Sequence, residues 1–579
     1  MLVVWGMGAF LGRICRHVML SYQLAFYCSM SYIEGMYIAT VPNRSSPPAI
    51  LLRESFREGA HVRSRTLANI THWPPERIEA LRRTLRGDFD LACGGGEVVD
   101  AVFGVLFVLA RIAERLGLPR ALGRSRIAKL ALFLVLARVA HHGSRLSAVR
   151  WSAHHAVEAV LGLAPFDEDE LYEALAWIAE QQERIEARLY ASYVKRVGAP
   201  PVLVLYDVTS SYFEGQCNEL GAYGYNRDGK RGKKQVVIGL LTAPDGEPLA
   251  VRVFRGNTSD PLTVAFQIEV VRQRFGISEV VFVGDRGMVK SRGKQALSEA
   301  GLRYITALTD PQVRALLTAG VMQMGLFEEV VAEVEHEGRR LVLRRNEEVR
   351  EKEARRVADK LARLAGTVEA RNNLVASSRR AQPEKGLAQL REWVTRHRLH
   401  AFVTLSLEGR RVVCTINEAA QHDAMLLDGC YVVETDVPKA MMDAATVDGS
   451  YRNLSRVEAD FRTAKTDLLE VRPIFLRKEM RTRGHVFVTM LALKIVRECR
   501  RGLTQAFGTT DEDRYAMTLD DALASLSRWC FLRQQVNDTA ILRLPAPDDE
   551  MLGIFHALGV TPPRTNPRKN VGRTQRPKN

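Results

Sequence analysis

Two short apolar runs along the chain are each followed at once by an aspartate. Val202–Tyr206 precedes Asp207, and Val280–Gly284 precedes Asp285. Uninterrupted apolar runs of this length are typical of strands that are buried on both faces. The pattern therefore predicts two buried strands, each of which ends at a carboxylate.

The residues around these runs complete an alternating α/β pattern. Ala243–Glu247 is a turn signal between two apolar segments, and Thr258–Pro261 supplies capping residues before a helix. This order matches the ribonuclease-H-like fold, in which the first strand and the strand after the first helix lie side by side. Asp207 and Asp285 would then meet at neighbouring carboxyl ends. The predicted elements are strands at 201–207, 235–242 and 248–254, a helix to about Phe275, a strand at 279–284, a helix at 294–300 and a strand at 304–308.

We therefore predict an α/β chain with a ribonuclease-H-like core in two parts, 199–310 and 441–505. Residues 311–440 carry several hairpin patterns around a charged helix, and we predict that they form a β-rich insertion. The alternative is that these strands continue the main sheet. The crowding of hairpins into one interval argues against that alternative.

Residues 98–198 are predicted to form a helical N-terminal domain, because apolar residues recur there at three- and four-residue spacing. Basic residues stand beside its short turns. A DNA-binding module and a packed bundle with a solvated basic face both fit, and the pattern selects no recognition helix. Residues 36–97 form a small N-terminal segment. Residues 506–579 are predicted to be a helical region that ends in a basic, disordered tail.

Residues 1–35 differ in composition from the rest of the chain. Arg13, Arg16 and His17 interrupt their apolar run before it reaches the length of a membrane span. These basic residues follow the apolar start, whereas in a signal peptide they precede it. We expect that the start codon is assigned too early, that the protein begins at Met36 and that it has no membrane partner.

The net charge of +15 and the isoelectric point near 9.5 favour a polyanionic partner. Lys and Arg neutralise phosphates and release counterions, so nucleic acid is favoured over a merely soluble basic protein. The eight cysteines include no C-x-x-C pair. This argues against a zinc site or a disulfide framework and fits a reducing compartment.

A third acidic residue, Glu458, lies far downstream in a stretch with a helical pattern. Tyr451, Glu458 and Lys465 are seven residues apart, so in one helix they would share a stripe with Arg462. Taken by itself, this helix is explained by an exposed face with an ordinary Glu–Arg ion pair. The two aspartates at the ends of the predicted strands favour a functional site instead.

Three converging carboxylates raise one another's pKa unless cations neutralise them. Two Mg²⁺ ions about 3.5–4 Å apart would do so, with Mn²⁺ as a substitute. The sequence thus predicts that Asp207, Asp285 and Glu458 are metal ligands and catalytic residues for phosphoryl transfer. Tyr451, Arg462 and Lys465 would hold the phosphates.

At these residues the chain resembles the DDE transposases of bacterial insertion sequences, in the large group with a Tyr-Arg-Glu-Lys signature. The resemblance implies the same triad, a β insertion, Mg²⁺ dependence, and cutting and joining of element ends. The signature Arg is expected where this chain has Leu454; of the candidates Arg452, Arg456 and Arg462, helical geometry favours Arg462. The matching segments are Tyr206–Phe213, Gly224–Gly239, Phe254–Asp260, Val283–Met288 and Tyr451–Lys465.

Two further predictions concern residues outside the triad. Lys233 and Lys234, next to Lys230 and Arg231, precede a strand and would grip DNA, although a solvated loop explains them equally well. His485 leads an apolar helix and is better explained as a hydrogen-bonded core histidine than as a catalyst.

The expected function is cleavage of DNA at terminal inverted repeats and strand transfer into target DNA. By family analogy the protein would act as a homodimer on paired ends, in the bacterial cytoplasm at the nucleoid. The alternatives are a nuclease that only hydrolyses and a non-catalytic DNA-binding protein derived from such an element.

Overall fold

The structure is a computed structural model. It describes residues 36–43, 47–58, 61–86, 101–225, 227, 229–277, 280–285, 289, 291–465, 469–508, 516–536 and 539–563. The predicted extension, 1–35, and the basic tail from residue 564 onward lie outside these residues. The chain divides into two compact units, one made of Met1–Asp100, Phe531–Pro545 and Thr565–Asn579 and the other of Ala101–Cys530 and Ala546–Arg564.

The first unit contains a three-stranded antiparallel sheet. Its strands are β1 (Met36–Val41), β2 (Ala49–Glu58) and β3 (His61–Asn69), and α1 (Pro75–Arg86) follows them. Proline at the first position of α1 is favourable because that position needs no amide hydrogen-bond donor.

Helices dominate the start of the second unit. Ser125 caps the helix α4 (Arg126–Ala140), because its Oγ accepts a hydrogen bond from the Ala128 amide. Within the predicted helical region, Glu168–Glu180 and Gln182–Val197 are two helices that meet at Gln181. The elements are β4 (Ala101–Val102), α2 (Gly104–Arg115), α3 (Leu118–Leu122), α4 (Arg126–Ala140), α5 (Arg145–Ala153), α6 (Val157–Leu161), α7 (Glu168–Glu180) and α8 (Gln182–Val197).

The predicted α/β order follows these helices, with small shifts of the element ends. The second predicted strand is confirmed at both ends, whereas the first begins two residues later and ends five residues later than predicted. The elements are β5 (Leu203–Tyr212), β6 (Gln235–Thr242), β7 (Pro248–Arg255), α9 (Asp260–Glu269) with a π turn at Val270–Arg274, β8 (Val281–Gly284), α10 (Ser291–Glu299) and β9 (Arg303–Ala307).

The remaining residues alternate between strands and helices. In order they form α11 (Asp310–Thr318), a 3₁₀ turn (Met324–Glu328), β10 (Ala332–His336), β11 (Arg339–Arg345), α12 (Glu347–Ser377), α13 (Pro383–Arg396), β12 (Val403–Glu408), β13 (Arg411–Ile416), α14 (Glu418–Met425), β14 (Cys430–Thr435), α15 (Ala444–Arg452), α16 (Leu454–Lys465), α17 (Glu479–Phe507), α18 (Leu519–Ser527), β15 (Cys530–Val536), β16 (Thr539–Arg543) and α19 (Asp549–Ala557).

An eight-stranded mixed sheet is the centre of the second unit. Its order is β10-β11-β14-β9-β8-β5-β6-β7. β5, β6 and β7 are antiparallel neighbours, whereas β5, β8 and β9 run parallel. The prediction that the two aspartate-bearing strands lie side by side is confirmed. Tyr206, Phe282 and Tyr304 belong to the core packed against this sheet.

The prediction of a separate β-rich insertion over 311–440 is wrong. β10, β11 and β14 continue the main sheet, which was the alternative set aside, because β14 pairs with both β11 and β9. Arg345 at the end of β11 pairs with Cys430 at the start of β14, so the chain leaves the sheet between these two residues and then returns to it. This excursion is mostly helical, with one hairpin, β12–β13, and a core of its own that includes Leu364, Leu390 and Phe402.

The helices of 98–198 do not form a separate domain, because they belong to the same compact unit as the sheet. α4 and α7 pack against the long helix α17. Gly484 permits this contact, since a Cβ atom there would lie 1.8 Å from the Leu175 carbonyl oxygen. The next residue, His485, is buried and its Nε2 lies 3.2 Å from the Val471 carbonyl oxygen, which confirms a core histidine.

Among the described residues, no single helix is both long and apolar enough to cross a membrane. α4 and α5 are long and apolar enough for a membrane span only when they are taken together, and the chain bends by 90° between them.

Candidate active site

The register of β5 and β8 brings Asp207 and Asp285 to neighbouring positions. The last parallel pair is Tyr206 with Gly284, and each aspartate is the next residue of its strand path. Asp207 does not close its strand as predicted, since β5 continues along β6 to Tyr212. The parallel pairing of β5 with β8, by contrast, stops just before Asp207. Asp207 and Asp285 therefore lie side by side at the point where β5 and β8 separate.

Helix α16 supplies the third carboxylate. Its residues Leu454, Val457 and Phe461 are buried at helical spacing, and the helix packs against β5. Glu458 lies on the exposed side of the same helix. The hydrophobic stripe thus fixes which face of α16 is presented to solvent.

The electrostatics of Asp207 reveal that the three acids share one neighbourhood. Burial, followed by the charges of Asp285 and Glu458, raises the pKa of Asp207 to about 7. The Val208 amide donates a hydrogen bond to Asp207 Oδ1 at 2.7 Å and acts in the opposite direction, as does the charge of Arg227. At Asp207, therefore, burial and the two neighbouring acids outweigh the Val208 amide and the charge of Arg227.

Tyr451 reaches this site from a different helix than predicted. The stretch from Tyr451 to Lys465 is not one helix, because α15 ends at Arg452 and α16 begins at Leu454. α15 packs against β9, β11 and β14, whereas α16 packs against β5 and α17. The two helices therefore pack against different elements of the fold. The Tyr451 hydroxyl nevertheless donates a hydrogen bond to Asp285 Oδ1 at 3.2 Å. The predicted shared stripe is wrong for Tyr451, but the residue does contact the triad.

The cationic residues near α16 separate into groups. Arg452 forms an ion pair with Asp448 at 3.0 Å, and Arg456 donates a hydrogen bond to the Pro244 carbonyl oxygen at 2.9 Å. Arg462 is exposed one turn after Glu458, and Lys465 is half-buried at the last residue of α16. Leu454, at the expected position of the signature arginine, is buried. Of the three arginines considered, Arg462 shares the exposed face with Glu458.

Lys233 and Lys234 are engaged with their own loop. Lys233 pairs with Glu214 at 2.6 Å, and Lys234 Nζ donates a hydrogen bond to the Gln216 carbonyl oxygen at 2.9 Å. Both contacts are on exposed or partly exposed surface and are weak enough to exchange for phosphate.

Arg227 is a basic residue of the site that sequence reasoning did not single out. Its charge acts on Asp207, and its backbone amide donates a hydrogen bond to Ser210 Oγ on β5 at 3.1 Å. The segment Gly224–Gly239, already noted for its family resemblance, contains it. That resemblance was the only signal that could have identified Arg227.

The carboxylates are the groups that could hold a metal ion, but they are not arranged as a finished metal site. Within the described parts of the chain, no three or more His, Cys, Asp or Glu side chains are grouped closely enough to hold one. Asp285 and Glu458 are exposed, and exposed side chains change rotamer within nanoseconds.

Comparison with protein families gives one match. Residues 38–94 match the model of the N-terminal domain of IS1634 family transposases. These residues correspond closely to the predicted N-terminal segment, 36–97. The match supports a transposase, although it covers a small part of the chain and none of the three acids. No curated protein matches the sequence.

Two solved structures with low similarity are also transposases. A piggyBac transposase synaptic complex with hairpin DNA is similar over 73% of this chain and 75% of that chain, with 8% identity and a TM-score of 0.32. A Mos1 transposase paired-end complex with the left transposon end is similar over 31% of this chain and 58% of that chain, with 10% identity and a TM-score of 0.14. At these scores neither likeness carries an argument about the fold.

Proposed function

We propose that this chain is a DDE transposase, which cleaves DNA at the ends of an insertion sequence and joins those ends to target DNA. The observation that carries the proposal is the position of Asp207 and Asp285 at the ends of two adjacent parallel strands, together with the influence of Glu458 on Asp207. Asp207 and Asp285 follow the last parallel pair of β5 and β8, and the charge of Glu458 acts on Asp207. Carboxylates from two adjacent strands and one helix are suited to phosphoryl transfer.

The strand order supports a ribonuclease-H-like core. Three antiparallel strands, β5 to β7, are followed by β8 and β9, which add in parallel on the other side of β5. This is the arrangement predicted from the sequence for that fold. It places a ligand site at the carboxyl ends of the parallel strands, as is usual in open α/β sheets.

The triad fits divalent cations by its chemistry. Mg²⁺ prefers carboxylate oxygens and a few waters, and Mn²⁺ accepts the same ligands. Burial, followed by the charges of Asp285 and Glu458, raises the pKa of Asp207, and a bound cation would favour its ionised form. Asp207, Asp285 and Glu458 would hold two ions, which would activate the attacking water or 3′-hydroxyl and stabilise the leaving oxygen.

The surrounding side chains would position the substrate. Tyr451 holds Asp285 by its hydrogen bond and so orients that carboxylate. Arg462 would grip a phosphate as a fork, and Lys465 would bind one as a point charge. Lys233 and Lys234 would exchange their loop contacts for phosphates of the same strand.

The proposed partners are the terminal inverted repeats of the element and target DNA. Joining two ends requires that two active sites work together, so we propose a homodimer on paired ends, in the bacterial cytoplasm at the nucleoid. The net charge of +15 is consistent with extensive contact to phosphates.

The test is a cleavage assay with the full chain and DNA that flanks its gene. Mg²⁺-dependent nicks at inverted repeats are expected for the unaltered protein. Asp207→Asn should abolish cleavage but retain end binding, and Asp520→Asn, a change at an exposed position of α18, should retain both. Full cleavage by Asp207→Asn would refute the assignment.

The same assay separates the two alternatives. Hydrolysis without joining of the 3′-ends to a target plasmid would indicate a nuclease. End binding without cleavage by the unaltered protein would indicate a non-catalytic DNA-binding protein.

A further inference from the structure

A cavity of about 770 Å³ lies between α16 and α17, and none of the three triad acids lines it. On α16 its wall is one stripe at helical spacing, made of Arg456, Ala459, Asp460 and Thr463. Glu458 lies on the opposite side of that helix. Residues of α17 form the facing wall of this inner cavity. Its volume is in the range of pockets that hold small ligands.

The acids of the inner cavity are mostly neutralised by the protein itself. Three of the four acids in its lining form ion pairs with cations of the same lining. The fourth, Asp245, is exposed, and its Oδ1 accepts a hydrogen bond from the Glu247 amide at 3.1 Å. The ion pairs, each 2.5 to 2.7 Å long, are Glu247 with Lys494, Asp460 with Arg497, and Glu498 with Arg501.

Two arginines of the lining have neutral partners instead. Arg456 on α16 donates a hydrogen bond to the Pro244 carbonyl oxygen at 2.9 Å. Arg500 on α17 donates one from Nη1 to Thr463 Oγ1 at 2.8 Å. A guanidinium carries five N–H donors in a planar fork that fits a phosphate group. The two walls of the inner cavity therefore each offer a charged fork to an anion.

Asp460 offers the complementary chemistry. Its side chain is only 3% exposed, and Arg497 binds Oδ1, whereas Oδ2 is buried and has no hydrogen-bond partner among the residues that the structure describes. A buried acceptor of this kind is costly and indicates a missing donor. The charge of Arg500 acts on Asp460, so the acceptor and one fork are neighbours. A ligand that serves both has an anionic group and, near it, a hydroxyl or amine.

We propose that the inner cavity binds a nucleoside phosphate, whose phosphate is held by Arg456 and Arg500 and whose sugar hydroxyl or base amine donates a hydrogen bond to Asp460 Oδ2. Leu116 and Leu493 add apolar surface to the lining. The backbone of duplex DNA carries the same phosphate, but its base amines are paired and its sugars have no free hydroxyl, so it meets only the first requirement. Since no triad acid lines the cavity, this inference does not depend on the proposed function.

The test is isothermal titration calorimetry of the full chain with each of the four ribonucleoside monophosphates. EDTA is present throughout, so that binding through a metal ion at the triad does not contribute. At least one nucleotide should bind saturably, at one site per chain, and its nucleoside without phosphate should bind at least about tenfold more weakly. Arg500→Gln, which can still hydrogen-bond Thr463, should weaken nucleotide binding by about tenfold to a hundredfold.

Two further variants separate occupation of the inner cavity from general charge. Ala459→Leu adds bulk to its wall without a change of charge, and should weaken nucleotide binding by at least about tenfold. Arg481→Gln removes a cation from the same helix as Arg500, but the Arg481 guanidinium lies over the Tyr172 ring, 4.7 Å from its centre, and does not line the cavity. This control should bind normally. Thermal melting would verify that each variant is folded.

The inference is overturned if none of the four nucleotides binds saturably, or if either Arg500→Gln or Ala459→Leu binds with unchanged affinity. A duplex oligonucleotide should not displace the bound nucleotide. Displacement by the duplex, with an equal loss of duplex binding in Arg500→Gln, would assign the inner cavity to backbone phosphates and would also overturn the inference. The titration requires no catalysis, so absence of DNA cleavage by the unaltered protein would leave its result intact.

Discussion

The two faces of helix α16 carry acids of the same charge in opposite surroundings. Glu458 is exposed, whereas Asp460, two residues later, is only 3% exposed. Two residues of an α-helix correspond to a rotation of about 200°, so these side chains point in nearly opposite directions. Residue type alone would not distinguish them; the position of the buried stripe does.

The inner face has a structural role. Asp460 Oδ1 accepts a hydrogen bond from Arg497 Nη1 at 2.5 Å, and Arg497 also donates one to the Asp245 carbonyl oxygen at 2.7 Å. Burial raises the pKa of Asp460 to about 6, while Arg497 acts to lower it. A cavity of about 770 Å³ lies on this side of α16, lined by Asp460 and Arg497 among others. This cavity is not the proposed active site, since none of the three triad acids lines it.

The outer face presents the carboxylate of Glu458 to solvent. The charges of Glu458 and Asp285 both act on Asp207. The comparison teaches that one helix can supply a buried acid, held by an arginine partner, and an exposed acid whose charge acts on a neighbouring strand.

The largest effect is expected for a substitution on the outer face of α16. Glu458→Gln should reduce Mg²⁺-dependent cleavage by about a thousandfold or more, because loss of a metal ligand costs several kcal/mol of transition-state stabilisation. Its free energy of unfolding should not decrease. Cleavage assays and urea denaturation of the same samples measure both quantities. Residual activity near that of the unaltered protein would remove Glu458 from the triad.

The second prediction concerns the ion pair on the inner face of α16. Arg497→Ala leaves Asp460 buried without its ion-pair partner, so the free energy of unfolding should fall by about 2 kcal/mol; this is less than for a fully buried pair because Arg497 is 28% exposed. Arg501→Ala is the matched control: the Arg501 side chain is 71% exposed and its partner Glu498 keeps a second ion pair with Arg115, so its loss should cost less than about 0.5 kcal/mol. Equal stability of both variants would show that the inner pair contributes nothing.

A third prediction concerns the competition between protons and metal at Asp207. Its pKa is raised to about 7, so its proton is held below that pH and lost above it. Because a cation requires the ionised form, the half-saturating Mg²⁺ concentration should increase about tenfold between about pH 8 and about pH 6. DNA binding in EDTA is the control and should not follow this curve. A flat Mg²⁺ requirement over that range would contradict the described environment of Asp207.

The smallest effect sharpens the choice among arginines on α16. Arg462→Ala should weaken DNA binding a few-fold and reduce the slope of log affinity against log salt by about one. Arg456→Ala removes a side chain that lines the inner cavity and hydrogen-bonds Pro244, so its salt slope should not change. If Arg456 alone reduced the slope, the phosphate contact would belong to the other face.

The sequence predicted the strands that carry Asp207 and Asp285 well, because local patterns determine where those strands lie. The apolar runs before Asp207 and Asp285 and the order of strands and helices follow from spacing and turn residues. The parallel pairing of β5 and β8 follows from that order. Hence the neighbouring positions of Asp207 and Asp285 could be predicted before any coordinates.

Long-range contacts account for what the sequence did not predict. β14 joins β11 and β9 from more than eighty residues away along the chain, and no local pattern encodes that pairing. The break at Asn453 arises because α15 and α16 pack against different elements.

The central claim is tested most directly by anomalous diffraction from crystals grown with Mn²⁺ and bound DNA. The account predicts two anomalous peaks about 3.5–4 Å apart, each coordinated by carboxylate oxygens of Asp207, Asp285 or Glu458. Crystals with well-ordered DNA in which Mn²⁺ binds elsewhere, with any of these three carboxylates remote from the other two, would contradict it.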